Sequence, residues 1–249
     1  MAGHSKWANI QHRKGAQDAR RAKRFAKLVR EVIVAARQGQ PDPEYNARLR
    51  TAIAAAKAQS VPKENIERVL NKAQGGGDGV NYDELRYEGF GPGGVAVLVD
   101  AMTDNRNRTA AEVRSIFNKH GGALGESGSV NYMFERVGSI HYASAAASAD
   151  EMFEAALEAG ASDCEFDGDG HEISCAPDDF GEVSEALTER FGTPENAGLV
   201  WKPQTTIAID EHAAATLFNL MEALDDCDDV QNVSANFEVS DDVMEKLSA

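Results

Sequence analysis

Residues 137–203 read VGSIHYASAAASADEMFEAALEAGASDCEFDGDGHEISCAPDDFGEVSEALTERFGTPENAGLVWKP, a stretch in which strand and helix patterns alternate. The pattern predicts two consecutive strand-helix-strand units, which is the element order of a ferredoxin-like domain. The predicted elements are, in order, strand 139–143, helix 150–159, strand 164–167, strand 172–175, helix 179–191 and strand 198–202.

The flanking segments predict a second α/β domain that this stretch interrupts. Residues 94–134 read as strand, helix and strand, with the helix opened by a capping box of Thr109 and Glu112 and the last strand at 130–134. Residues 204–240 add another strand-helix-strand unit. We therefore expect a discontinuous middle domain, 80–136 with 204–249, that holds an inserted ferredoxin-like domain, 137–203. A linear order of three modules is the alternative.

The first 75 residues predict three helices, at about 17–37, 44–59 and 62–74. The glycine-rich run 75–79 has the composition of a linker, so we expect a helical domain over 1–75. The predicted fold class is α+β multidomain: a three-helix domain followed by two ferredoxin-like α/β domains, one inserted in the other. The apolar stripe predicted for the first helix is Ala22, Phe25, Ala26, Val29, Ile33 and Ala36.

The net charge of −16 is divided very unevenly along the chain. Residues 1–75 hold 16 Lys and Arg against 6 Asp and Glu, whereas residues 76–249 hold 9 against 35. A basic module of net +10 is thus joined to an acidic body of net −26. The basic module is therefore expected to bind a polyanion.

The strongest candidates for nucleic-acid binding lie at the N-terminus. Lys6, Arg13 and Lys14 accompany Trp7, and an indole among cations suits stacking on an unpaired base of irregular nucleic acid. The alternative is a loose tail whose Trp7 docks on the helical core. The adjacent helix adds more cations, of which Arg20, Arg21, Lys23, Arg24 and Lys27 are candidates and Arg30 extends the cluster. A helix-turn-helix in which the third helix reads DNA is a further alternative, although Glu64 and Glu67 would then lie near phosphates.

Arg106 and Arg108 are candidates for a second phosphate contact, because they precede a predicted helix start in an acidic body. The alternative is that they pair with Asp104, Glu112 or another carboxylate.

The sequence gives little support for a nucleotide-binding loop, a metal site or a catalytic site. Residues 89–94 match G-x-G-x-x-G but precede a strand, so we interpret them as a turn. Cys164, His171 and Cys175 lack the spacing and the fourth ligand of a zinc site. We predict no metal, no cofactor and no catalytic residue, and therefore a protein that is not an enzyme. An enzyme acting on a nucleotide is a weaker alternative.

Four motifs resemble the YebC/PmpR family, whose mitochondrial relatives are translational activators of cytochrome oxidase subunit I. They are AGHSKWANIQHRKGAQDARRAKRFAKLVREV at 2–32, YEGFGPGG at 87–94, MTDNRNRTAAEVR at 102–114 and GSVNYMF at 128–134. The resemblance implies an N-terminal helical domain and two α/β domains. It also implies either a ribosome-associated factor that relieves stalling, for example at proline-rich stretches, or a DNA-binding transcriptional regulator.

The function expected from these observations together with the resemblance is a non-enzymatic regulator of gene expression that binds ribosomal RNA or the ribosome, with DNA binding as the alternative. On this interpretation the acidic domains are expected to meet basic ribosomal proteins. A DNA regulator would be expected to dimerise on paired half-sites. The sequence has no apolar run of about 20 residues and no secretory signal, so we expect a cytoplasmic protein without a membrane partner.

Overall fold

A computed structural model describes residues 17–74, 81–168 and 170–248. The described residues divide by their contacts into two compact units. One unit contains 81–135 and 201–248, and the other contains 21–74 and 136–200. The fold is α+β, with a helical N-terminal part followed by two sheet-containing domains.

Three helices form the N-terminal part: α1 (Gln17–Gln38), α2 (Ala47–Ala58) and α3 (Lys63–Gln74). The buried Asn46 fixes the turn between the first two. Its Oδ1 accepts a hydrogen bond from the Leu49 N–H at 3.0 Å, and its Nδ2 donates to the carbonyls of Ala35 and Gln40, each at 2.8 Å. One side chain thus caps the start of α2 and satisfies a carbonyl in the last turn of α1.

The α2 helix ends without a glycine. Ser60 has φ +58°, and its N–H donates to the Lys57 carbonyl at 2.8 Å while the Val61 N–H donates to the Ala56 carbonyl at 2.9 Å. These two bonds form a Schellman motif, in which a residue in the left-handed region closes the helix. Pro62 follows and cannot continue α2, because it has no backbone N–H to donate. The next helix, α3, begins at Lys63.

The buried face of α1 differs in part from its predicted stripe. Val32, Ala35 and Ala36 are buried among residues of α2 and α3, with Phe25 and Leu28 packed beside them. Ala22 and Ala26, which were predicted to point inward, are exposed. An alanine carries little apolar surface, so its exposure costs little and its position in a pattern is a weak guide to the core.

The discontinuous domain has a four-stranded sheet in the order β3-β1-β2-β9, with β1 (Asp83–Phe90), β2 (Ala96–Thr103), β3 (Ala123–Leu124) and β9 (Val230–Ala235). Helices α4 (Arg106–Lys119) and α7 (Glu211–Asp226) contribute to its core, and α8 (Asp241–Ser248) follows. A short parallel pair joins β8 (Ile207–Ala208) to β10 (Phe237–Glu238). The antiparallel pairing of Val97 with Ala235 joins the two chain segments on either side of the insertion.

Two local predictions for this domain are wrong. The segment predicted as a strand at 130–134 contains a 3₁₀ turn at Asn131–Met133, because the Glu88 carboxylate accepts hydrogen bonds from the N–H groups of Gly128, Val130 and Asn131. Helix α4 begins at Arg106 with Asn105 as its N-cap, four residues before Thr109, which was the predicted N-cap. Thr109 is buried and bonds elsewhere.

The inserted domain has the predicted ferredoxin-like order. Its elements are β4 (Phe134–Ala143), α5 (Ala149–Glu158), β5 (Asp163–Phe166), β6 (Gly170–Cys175), α6 (Phe180–Phe191) and β7 (Asn196–Pro203). The sheet order is β5-β6-β4-β7, and the core contains Ile140, Met152, Ile173, Phe180 and Leu187. Ala55 of α2 also belongs to this core cluster, so within this unit the helical part and the inserted domain share apolar packing. The predicted three-domain boundaries remain a prediction.

Candidate nucleic-acid interface

The described basic residues near the start of α1 differ in exposure. Arg21 and Lys23 are exposed, whereas Arg24 and Lys27 are half-buried. The Arg21 guanidinium lies 5.2 Å from the centroid of the Phe25 ring, one helical turn further on, which is the spacing of a cation–π pair. The second turn of α1 therefore presents a cation, Arg21, that lies against the helix surface.

Arg24 has a structural contact as well as a charge. Its Nη1 donates to Oε1 of Gln59 at 3.2 Å, and Nε2 of Gln59 donates to the carbonyl of Glu195 at 3.2 Å and to Oδ1 of Asn196 at 3.0 Å. Gln59 is the residue at the end of α2. Arg24 is thus tied through one amide to the loop before β7.

Helix α1 has two acids, Asp18 and Glu31, and the side chain that is described, Glu31, pairs with α2. Arg48 of α2 contacts both carboxylate oxygens of Glu31, at 2.9 Å from Nε and 3.3 Å from Nη2, and its Nη1 donates to Gln38 at 2.7 Å. This bidentate geometry is the preferred one for a guanidinium and a carboxylate. Arg48 therefore offsets the charge of Glu31.

Four of the predicted binding residues, Lys6, Trp7, Arg13 and Lys14, lie outside the described residues. Of Arg20, the backbone is described as part of α1 and the side chain is not. The structure thus brings together Arg21, Lys23, Arg24 and Lys27 on one helix. Their contact with a nucleic acid remains a prediction.

Arg108 lies in the first turn of α4 and pairs with carboxylates, which is the alternative to phosphate binding given for this arginine. Its Nη2 lies 2.8 Å from Oδ1 of Asp104 and 2.7 Å from Oδ2 of Asp229. The same Asp229 oxygen accepts hydrogen bonds from Thr109 at 2.7 Å and from Thr103 at 3.1 Å. Burial tends to raise the pKa of the Asp229 carboxyl, but the hydrogen bonds from Arg108, Thr109 and Thr103 outweigh it and hold that pKa below its ordinary value.

Arg106 is far less constrained. Its side chain is 67% exposed, and its Nε lies 4.0 Å from Oδ2 of Asp83, at the outer limit for an ion pair. Two further cations of α4, Arg114 and Lys119, are exposed and were missed by sequence reasoning. The helical spacing after Arg106 could have drawn attention to Arg114. Of the two predicted arginines, Arg106 is the one available to a ligand.

The cysteines have the character of buried thiols. Burial, with Asp179 nearby, raises the pKa of Cys175 to about 11, and burial followed by Asp163 and Glu165 raises the pKa of Cys164. A raised pKa disfavours the thiolate that binds metals. Within 17–74, 81–168 and 170–248, no group of three or more His, Cys, Asp or Glu is arranged to hold a metal ion.

The helices that the structure describes include none with the length and apolar character needed to span a bilayer.

Comparison with known proteins identifies the family. Residues 5–76 match the model of the TACO1/YebC protein N-terminal domain, and residues 82–237 match the model of the TACO1/YebC second and third domain. A crystal structure of a conserved hypothetical protein from Aquifex aeolicus is 49% identical in sequence, with a TM-score of 0.81, over 92% of this chain and 95% of that one. Because the two family models together cover nearly the whole sequence, this chain belongs to the TACO1/YebC family.

Proposed function

We propose that this protein is a non-enzymatic regulator of gene expression that binds ribosomal RNA and assists translation, relieving ribosomes that stall. The observation that carries the proposal is the cation cluster of α1, where Arg21 and Lys23 are exposed on a helix that also carries Arg24 and Lys27. Repulsion among clustered cations is relieved most directly by a phosphate backbone. The proposed site of action is the cytoplasm.

The charge distribution along the chain supports binding through the N-terminal segment. The segment 1–75 is basic and the remainder carries most of the acids, so a polyanion is attracted to the first and repelled by the second. Such an arrangement orients the protein on RNA and limits indiscriminate coating of it. Arg106 on α4 is the candidate for a second phosphate contact, because its side chain is 67% exposed.

The exposed face of α3 argues against the helix-turn-helix alternative. Glu64 and Glu67 are exposed on α3. Nζ of Lys63 lies 3.4 Å from Oε1 of Glu67, and this ion pair makes the Lys63 ammonium less available to a phosphate. A recognition helix inserted into the major groove would bring these carboxylates toward the DNA backbone. Irregular RNA contacted by α1 requires no such approach. We therefore favour RNA over sequence-specific DNA as the ligand.

The stalling proposal is tested in a purified translation system that lacks this protein. The reporter messages would differ in one feature, a run of prolines or the same run replaced by alanines. Adding the protein is expected to raise full-length product from the proline message and to leave the alanine message unchanged. Arg21→Gln/Lys23→Gln is expected to restore less product than wild type, and Lys63→Gln/Arg68→Gln serves as the charge-matched control.

Equal stimulation of both messages would remove the stalling claim. Failure of the protein to bind ribosomes, together with tight dimeric binding to particular DNA duplexes, would replace the translation proposal with a transcriptional one.

A further inference from the structure

The inserted domain carries an unusual combination of exposed apolar and acidic side chains. Between 137 and 203 the sequence holds fifteen Asp and Glu against two Lys and Arg. Phe153 and Leu157 on α5 are 52% and 65% exposed, and Phe166 on β5 is 49% exposed. Single exposed apolar side chains are ordinary, but adjacent ones mark a surface that a partner can cover.

Phe153 and Leu157 lie one turn apart on α5 and form an adjacent pair on its surface. The opposite side of the helix is the buried one, where Met152, Ala155 and Ala156 pack into the domain core. The pair is therefore not needed to hold α5 in place.

The surroundings of the pair are negative. Asp150, Glu151 and Glu154 are exposed on the same helix, and Glu158 follows Leu157 directly. Arg190, one of the two cations of the domain, pairs with Glu158 at 3.0 Å. A nucleic acid or an anionic membrane would be repelled from this face.

We propose that the exposed face of α5, formed by Phe153 and Leu157 with Asp150 and Glu154, binds a basic amphipathic segment of another protein. The apolar face of such a segment covers the Phe153 and Leu157 side chains, and its Lys and Arg residues pair with the surrounding carboxylates. Recognition of an amphipathic segment combines apolar anchors with charge that sets partner choice. This site is distinct from the cation cluster of α1.

A second copy of this chain fits the face poorly. Two α5 faces brought together would place carboxylates against carboxylates. The basic helix α1 would supply the right charge, but its apolar residues Val32, Ala35 and Ala36 are buried in its own core and cannot cover a partner.

The test uses the full-length protein and two fluorescent 18-residue peptides made of Leu and Lys. One peptide has the spacing of an amphipathic helix, and the other has the same composition in scrambled order. Wild type is expected to bind the amphipathic peptide more tightly than the scrambled one. The Phe153→Ala/Leu157→Ala variant is expected to lose affinity for the amphipathic peptide by on the order of tenfold.

Three further variants make the test specific. Leu157→Glu should weaken binding even if the double alanine variant folds poorly, and Glu154→Gln should reduce the salt dependence of binding. Tyr132→Ala removes a side chain that is 65% exposed in the other unit and should change nothing.

The proposal would be overturned if wild type did not bind the amphipathic peptide or bound both peptides equally. It would also be overturned if Phe153→Ala/Leu157→Ala and Leu157→Glu both kept the wild-type affinity. A wild-type dimer that becomes monomeric in Phe153→Ala/Leu157→Ala during sedimentation would also overturn it, because the occupant would then be a second copy of the chain.

Discussion

Nη2 of Arg108 lies 2.7 Å from Oδ2 of Asp229, a residue 121 positions further along the chain. Arg108 lies in the first turn of α4, and Asp229 directly precedes β9, so the pair joins the two segments that flank the inserted domain. Thr103 and Thr109 complete the set of donors to the same oxygen. The segment 102–114, whose arginines were candidates for phosphate binding, thus contains Arg108, which joins the two chain segments of the discontinuous domain.

The Asp229→Asn variant is expected to lower the free energy of unfolding by about 2 kcal/mol, because charge-assisted hydrogen bonds to a largely buried carboxylate are lost. Urea denaturation at neutral pH measures the change. Glu112→Gln, an exposed carboxylate on α4, is the matched control and should fall within about 0.5 kcal/mol of wild type. Equal effects in the two variants would contradict the role assigned to Asp229.

Acid should destabilise the protein through Glu88 and Asp229. Burial tends to raise the pKa of Glu88, but hydrogen bonds from the N–H groups of Gly128, Val130 and Asn131, with Arg86 nearby, hold it below its ordinary value. A carboxyl whose pKa is lower in the folded state stabilises that state at neutral pH and loses this contribution as pH falls through its folded pKa. The unfolding free energy is therefore expected to drop below about pH 4.

Glu88→Gln is expected to flatten this acid dependence, since the amide does not titrate. Glu135→Gln, at an exposed position, is the control and should keep the wild-type profile. An unchanged acid slope in Glu88→Gln would show that the carboxylate is not a source of the effect.

Ser60→Gly should stabilise the helical part by about 0.5 kcal/mol, because Ser60 has φ +58° and only glycine adopts that region without a Cβ penalty. Ser115→Gly, at an exposed position inside α4, should destabilise by a similar amount. Thermal unfolding of both variants gives opposite shifts if this account is right. A lower melting temperature for Ser60→Gly would mean that the Schellman geometry is not retained in solution.

Gly89→Ala is expected to cost about 1–3 kcal/mol through overpacking. A Cβ at Gly89 would lie 2.7 Å from the backbone carbonyl oxygen of Ala123, which cannot swing aside as a side chain can. Gly198→Ala is the matched control, because a Cβ there meets nothing within 4 Å. Similar unfolding free energies for both alanine variants would contradict the close approach of β1 and β3.

The order of elements was predictable because each helix and strand follows its own hydrophobic period. The apolar residues of α6 and the alternation in β6 identify both elements without tertiary information. The beginning of α4 was misplaced because Asn105 and Thr109 are both good N-caps, and the choice between them depends on Asp229, which is 120 positions from Thr109. A local pattern cannot contain that information.

The shared core of α2 and the inserted domain could not be predicted for a related reason. Alanines cover several sides of α2, so its sequence indicates no single buried face. Small side chains allow close approach on two sides, and Ala55 faces one neighbour while Ala52 and Ala56 face another. The cation cluster of α1 was visible in the sequence, whereas the links from Arg24 to Gln59 and from Arg48 to Glu31 required the structure.

The central claim, that α1 contacts ribosomal RNA, is tested most directly by co-sedimentation with ribosomes at matched salt, in parallel with binding to random duplex DNA. Wild type is compared with Arg21→Gln/Lys23→Gln and with the control Lys63→Gln/Arg68→Gln. We predict that ribosome binding falls strongly in the α1 variant, remains in the control, and exceeds DNA binding in wild type. Ribosome binding that is equal in all three proteins would contradict the claim.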